Sequence, residues 1–356
     1  MRKLNKFLLI LSTLPVFAGN PERKGSSGAA SLLINSYSRN SGMWGANTAR
    51  VRGLESQYLN IAGLVYTRKT EIMYHRTSWL TGTGIGINTF GFSQGIGEES
   101  AIGFGVTSIN SGKIEITTED QPEGGLGTYE WTSNNVNISY ARKFSESIFG
   151  GINIKGISEG IPNLRANGFA FDAGIQYHTG KNDNIHIGIA LRNWGPKMYY
   201  RGDGLSDQKN LVNTANNSGS YEITIDRRSQ GIELPLQMNI GFAYDLYFKK
   251  DSLGKALNIH RLTLCGNFTS NSFMNDNYLF GAEYAFKEML MFRAGLYTEK
   301  GIFNKEKRET VFTGPSAGVT LELPFNEKGS TVALDYSYRF TNPFAGVHNL
   351  GFRINL

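Results

Sequence analysis

The chain reads as all-β: a transmembrane antiparallel up-and-down β-barrel of about fourteen strands with an N-terminal plug-like segment. Three observations carry that reading. Apolar side chains recur at every second position in segment after segment. The chain opens with a cationic, then apolar, leader. Its composition is rich in glycine and aromatics, with 43 Gly, 17 Tyr and 22 Phe among 356 residues and a single cysteine.

The alternation is plainest near the C-terminus. Val332, Leu334, Tyr336, Tyr338 and Phe340 interleave with Ala333, Asp335, Ser337 and Arg339, and Leu350, Phe352, Ile354 and Leu356 with Asn349, Gly351, Arg353 and Asn355. A period of two places each set on its own face of a strand. The same pattern predicts strands near 70–78, 83–91, 101–118, 132–142, 147–157, 165–178, 184–194, 235–248, 258–270, 276–286, 289–299, 311–323, 330–340 and 346–356. A soluble sandwich or solenoid alternates too. The large side chains of the apolar face, the leader and the lack of a fixed-length repeat favour the barrel.

In the leader, Arg2, Lys3 and Lys6 precede an apolar run from Phe7 to Leu14, and Val16-Phe17-Ala18 offers a small-residue cleavage site before Gly19. The run is too short to span a bilayer, and Pro15 breaks it. Cleavage removes three cations and no acid, so the formal charge falls from +6 to +3. With no Lys/Arg-rich block remaining, the chain carries no nucleic-acid footprint. Cys265 stands alone, which excludes a disulfide framework, a cysteine-rich metal site and a lipoprotein anchor. The expected layout is a signal peptide at 1–18, an N-terminal periplasmic or plug segment at 19–69 and an outer-membrane barrel at 70–356.

The connections follow the parity such a barrel requires, with short periplasmic turns and longer outer loops. The links at 143–146, 179–183 and 287–288 are short; 119–131 and about forty residues from Gly195 to Leu234 fall on the outer side. The turns at 92–100 and 249–257 read longer than the pattern wants. Asn153, Lys155, Asp172, Arg192, Asp245, Arg261, Glu283, Arg293, Glu322, Asp335, Arg339 and Arg353 should point inward, where mixed charges need partners or water. Trp79, Trp131, Phe144, Trp194 and Phe248 sit near segment ends, as interfacial girdles require. Residues 19–69 do not alternate, and either fill the lumen or hang in the periplasm.

Little in the chain suggests catalysis. The five histidines, His75, His178, His186, His260 and His348, lie on different strands, and no Gly-x-Ser-x-Gly or His-Glu-x-x-His motif occurs. A barrel could still bring His75 or His186 near an interior Asp and a Ser. Asp203, Asp207 and Asp226 lack calcium-loop spacing. No cofactor is expected. The loop 195–234 is the candidate partner surface. Trp194, Met198, Tyr199 and Tyr200 stand at the outer rim, and Tyr221, Ile223 and Ile225 alternate as one arm of a hairpin. Exposed aromatics on a long loop are what a docking surface uses.

Three stretches near the N-terminus carry a resemblance: Gly28-Ala29-Ala30-Ser31-Leu32-Leu33-Ile34, Ser41-Gly42-Met43-Trp44-Gly45 and Asn60-Ile61-Ala62-Gly63-Leu64. With Gly151-Ile152-Asn153-Ile154-Lys155-Gly156-Ile157 and the Gly168–Tyr177 strand, they resemble the PorV/PorQ family, FadL-like outer-membrane barrels of the type IX secretion system in Bacteroidetes. Ile61 stands where that family usually has proline, and Trp44 where a small residue is common. The resemblance implies a non-enzymatic PorV-like role. The barrel would dock at a large outer-membrane translocon barrel, receive secreted cargo by its C-terminal signal domain and pass it to attachment-complex proteins. The alternative is a FadL-like outer-membrane channel for hydrophobic or amphipathic solutes.

Overall fold

The computed structural model describes residues 19–212, 220–250, 256–326 and 329–356, so the leader at 1–18 lies outside the described residues. Fourteen strands form the wall. They are β1 Thr70–Ser78, β2 Gly86–Ile96, β3 Ser100–Asn110, β4 Thr132–Lys143, β5 Ile148–Ile161, β6 Leu164–Thr179 and β7 Ile185–Trp194. The second half comprises β8 Gln237–Lys250, β9 Ala256–Asn271, β10 Asn277–Phe286, β11 Leu290–Glu299, β12 Phe312–Pro324, β13 Thr331–Thr341 and β14 Val347–Asn355. Each pairs antiparallel with the next, and β1 closes on β14 from Glu71↔Asn355 to Ser78↔His348. Closure leaves no free sheet edge, and that is what allows β-structure in lipid.

The parity becomes regular once the strand ends are known. β2 runs on to Ile96, so the link to β3 is 97–99 and not the longer turn read from the sequence. The alternation weakens there because Gln94 stands on the face of Phe90 and Phe92, while the backbone ladder continues through Ile96↔Ser100. β3 in turn stops at Asn110, short of the expected 118, and Ile114–Glu115 pairs with Thr128–Tyr129 as a separate loop ladder. The links 79–85, 111–131, 162–163, 195–236, 272–276, 300–311 and 342–346 then share one end, the outer one, and residues 69 and 356 lie at the periplasmic end.

Burial is inverted relative to a water-soluble protein. Ile138, Ile240 and Leu334 are 63%, 42% and 52% exposed, whereas their neighbours Asn137, Asn239 and Asp335 are buried. The apolar face meets hydrocarbon and the polar face meets the interior. Of the twelve side chains expected to point inward, eleven are buried and Glu322 is half-buried. No helix among the described residues is long and apolar enough to cross a membrane; the strands do the crossing.

Residues 29–66 fill the lumen as a series of short turns, 3-10 at Ala30–Leu33, Gly53–Glu55 and Ile61–Tyr66, and α-helical at Ser38–Ser41 and Ser56–Leu59. Asn60 anchors one corner: its Oδ1 accepts from the Ala62 amide at 3.2 Å, and its Nδ2 donates to Thr48 O at 3.2 Å and Ile175 O at 3.0 Å. Leu54, Ile61 and Leu64 of this plug pack with Met73, Ala101 and Ala141 of the wall. On the other side, Arg50 pairs with Asp245 at 2.8 Å. The wall charges continue from there: Arg261 to Glu283 at 2.8 Å, Arg293 to Glu283 at 2.5 Å and Arg353 to Glu322 at 2.9 Å. Sharing carboxylates between guanidinium groups offsets the desolvation each charge suffers.

Candidate functional site: an aromatic cavity at the outer end of the lumen

A cavity of about 460 Å³ opens between the outer face of the plug and the wall, within the size range of small-molecule sites. Its floor is plug: Ile34, Trp44, Tyr58 and Leu59. Trp44 and Gly45 both take left-handed backbone, φ 56° and 78°, which turns the indole up out of the plug. Tyr58 is held by its hydroxyl, which donates to Leu33 O at 2.6 Å. The walls add Trp79, Trp131, Tyr297 and Phe312. Trp44 lies 5.0 Å from the Tyr297 ring and edge-on to Phe312 at 4.8 Å, and Trp79 meets Phe312 at 5.8 Å.

Two arginines complete the lining. Arg339, at the outer end of β13, lies over Trp44, Trp79 and Phe312 at 5.2, 5.1 and 5.6 Å and donates to Asn35 O at 3.0 Å. Arg192, at the outer end of β7, stacks 4.0 Å from the Tyr58 ring and donates to Gln237 Oε1 at 3.0 Å. Neither has a carboxylate within ion-pair distance among the described residues, and no Asp or Glu lines the cavity. The buried Nε of each also makes no hydrogen bond among the described residues. The arrangement is an aromatic box under a positive potential with spare N–H donors. It suits a flat or apolar body carrying an acceptor or an anionic group.

The wall beside this cavity is irregular. Asn193 of β7 has φ 60°, and the pairing of β6 with β7 slips between Phe171 and Ala173. Asp172 holds the break: Oδ1 accepts the Asn193 amide at 2.7 Å, and Oδ2 pairs with Lys155 at 2.7 Å. Past the break, Tyr199–Arg201 resumes pairing with β6. Ala29 and Leu32 of the plug then fill the space beside Met198 and Leu234.

The predicted docking residues separate. Trp194 and Tyr199 are exposed, at 59% and 48%. Met198 is buried against Ala166, Ala170 and Leu32 and is not available at the surface. It is buried because its strand segment pairs with Ile232, which turns the thioether inward over Gly168. Tyr200 is half-buried and donates its hydroxyl to Glu159 at 2.8 Å. Ile223 is half-buried in a hairpin of Ser206–Val212 with Ser220–Asp226, and the Tyr221 side chain lies outside the described residues. An open cleft of about 640 Å³ runs beneath this hairpin, bordered by Tyr199, Arg201, Leu205 and Arg227.

Of the expected girdle, Phe144, Trp194 and Phe248 are exposed, while Trp79 and Trp131 face the cavity instead. Both follow or precede an outer strand end, and the outer loops fold over the mouth rather than standing away from it. Two histidines come together although they are eight residues apart. His178 and His186 are cross-strand partners with rings 4.4 Å apart; Tyr66 meets His178 at 2.7 Å, and His186 meets Asp245 at 3.0 Å. His75 does lie beside a serine, Ser38, at 3.1 Å. That hydroxyl also reaches Asn349 Oδ1 at 2.9 Å, and the whole group is buried. Among the described residues no cluster of His, Cys, Asp and Glu is arranged to hold a metal ion.

A closed fourteen-strand barrel with an apolar belt outside, a polar interior and a plug in the lumen is an outer-membrane β-barrel. Solved hydrocarbon channels share this fold. The chain superposes on CymD, a monoaromatic hydrocarbon channel, with a TM-score of 0.55 at 12% identity, over 90% of this chain and 97% of that one. It superposes on the Pseudomonas putida toluene transporter TodX with a TM-score of 0.56 at 11% identity, over the same 90% and 97%. No protein-family profile and no curated protein matches the sequence.

Proposed function

We propose that the protein is a FadL-like outer-membrane channel that takes a hydrophobic or amphipathic solute from the outer surface into the aromatic cavity. The single observation behind this reading is the cavity itself. It offers aromatic surface, two guanidinium groups and no carboxylate, at the end of the lumen that faces outward. The similar fold of a monoaromatic hydrocarbon channel and a toluene transporter supports an apolar body for the solute. Arg339 and Arg192 add a preference for an acceptor-bearing or anionic end. The plug must shift for the solute to leave the cavity, because Trp44, Tyr58 and Leu59 form its floor.

The test is binding and uptake. Three of the four tryptophans border the cavity, so indole fluorescence reports its occupancy directly. An aromatic carboxylate is expected to quench saturably. Arg339→Gln should weaken that binding about tenfold, the scale of one charge-assisted hydrogen bond, while leaving a neutral aromatic hydrocarbon unchanged. No saturable quenching by either probe, together with no uptake into proteoliposomes, overturns the reading.

A second reading is favoured by the exposed outer cleft beneath the hairpin. There the barrel would act as a PorV-like component of a protein secretion machine, with Trp194, Tyr199 and the hairpin contacting a translocon barrel or the C-terminal domain of a secreted chain. Affinity purification from native outer membranes tests it. Co-purification of much larger partners that disappears when residues 206–226 are shortened supports it, and a lone barrel in mild detergent counts against it.

A further inference from the structure

Residues 19–28 do not belong to the plug proper. They lie across the outer mouth and tie three outer loops together. Gly19 N donates to Asp276 Oδ2 at 2.8 Å in the 272–276 loop. Arg23 lies 4.4 Å over the Phe273 ring and pairs at 2.7 Å with Glu233, which Lys197 also reaches at 3.2 Å. Lys24 pairs with Glu309 of the 300–311 loop. Gly28 N donates to Glu233 O at 2.9 Å, where Ser27 runs parallel to that residue. Met274 and Thr310, on two of the loops so tied, border the aromatic cavity.

We infer that Asp276 is the receptor for the protein's own processed N-terminus, and that cleavage after Ala18 creates the cation that bolts this strap across the mouth. Water, delivered by a signal peptidase, splits the Ala18–Gly19 peptide bond. Ala18 leaves with the carboxylate, and Gly19 keeps the amine, which takes up a proton at neutral pH. The Gly19 nitrogen changes from a neutral amide with one N–H to an ammonium with three. Cleavage thus turns an amide–carboxylate hydrogen bond into one with charge on both sides and adds two further donors.

The site is built for this group. The other Asp276 oxygen, Oδ1, accepts the Asn271 amide at 3.0 Å, so the carboxylate is already oriented. Asn20 N reaches Asn271 O at 3.4 Å and continues the approach. Only glycine fits at the contact: a Cβ on Gly19 would stand 2.7 Å from Asp276 Oδ1 and 2.8 Å from its backbone nitrogen. The first residue after the predicted cleavage site thus sets its own nitrogen on this acid, at the oxygen that the Asn271 amide leaves open to it. The inference rests on cleavage after Ala18, which is read separately from the contact.

The experiment has two parts on the full-length protein purified from outer membranes. N-terminal sequencing should return Gly-Asn-Pro-Glu; any other start overturns the inference. Amine-selective labelling near neutral pH, mapped by peptide mass, then compares the α-amine of folded wild type with that of Asp276→Asn. The α-amine should label about tenfold more slowly in the wild type, the scale of a charged hydrogen bond. Equal rates overturn it. Heat-modifiable migration on gels checks that the variant barrel is folded. If Asp276→Asn does not fold, Gly19→Ala decides. It retains the charge but crowds the contact, so it should label faster than wild type; an unchanged rate overturns the inference.

Discussion

Glycine at the plug–wall contact is the residue choice on which the filled lumen depends. A Cβ on Gly188 would stand 2.7 Å from Ala49 Cα, and one on Gly295 would stand 2.7 Å from the Met43 backbone. A Cβ on Gly241 would face the Ala49 nitrogen at 3.0 Å, and one on Gly281 would face the Ala46 and Met43 Cβ atoms at 3.1 Å. Backbone cannot retreat as a flexible side chain can, so Gly188→Ala should destabilise the folded barrel by about 1–3 kcal/mol, the usual cost of overpacking. Gly266, which would meet nothing within 4 Å, is the control, and Gly266→Ala should leave the midpoint of heat-modified migration unchanged. A wall in which both variants behave alike would mean the plug is not seated this closely. The abundance of glycine was visible in the sequence. Its role was not, because close approach is a relation between segments more than a hundred residues apart.

At the scale of an element, the break in β7 depends on one acid. Asp172 accepts the Asn193 amide, the Lys155 ammonium and Asn153 Nδ2 at 2.7, 2.7 and 3.0 Å. Asp172→Ala strips the partner from a buried lysine and should cost about 3–5 kcal/mol in thermal unfolding. The double replacement Lys155→Met with Asp172→Leu removes both charges and should recover much of that loss. If the double variant is no better than the single, the amide contact to Asn193 and not the ion pair holds the break. Alternation marked β7 correctly and placed Lys155, Asp172 and Arg192 inside. It carried no sign of the left-handed Asn193, since a single asparagine among alternating residues does not distinguish a regular strand from a bent one.

For the whole molecule, the charge belt between plug and wall sets a pH dependence. Burial pushes the Glu55 carboxyl of the plug up from 4.5 to about 7, against the pull of Arg39, with Asp335, Arg353 and Arg293 facing it from the wall. A carboxyl whose folded value is raised binds more protons folded than unfolded, so stability falls as pH rises from 4.5 to about 7 and levels off above. Glu55→Gln should flatten the unfolding midpoint across that window; an unchanged slope would assign the dependence to other groups.

The sequence by itself determined the membrane class, the fourteen strands and the identity of each inward face, because a period of two is a local property that survives without knowing any neighbour. It also marked the N-terminal segment as different in kind. Only the tertiary structure decided what that segment does. Trp79 and Trp131 read as girdle residues and proved to line a cavity, Met198 read as exposed and proved buried, and His178 and His186 read as scattered and proved paired. The histidines meet through the register of one hairpin at the opposite end, whereas for the tryptophans and Met198 the deciding contact joins the plug or an outer loop to a distant strand. The side-chain environment there is set by how the loops fold back over the mouth, and no repeat in the chain encodes that.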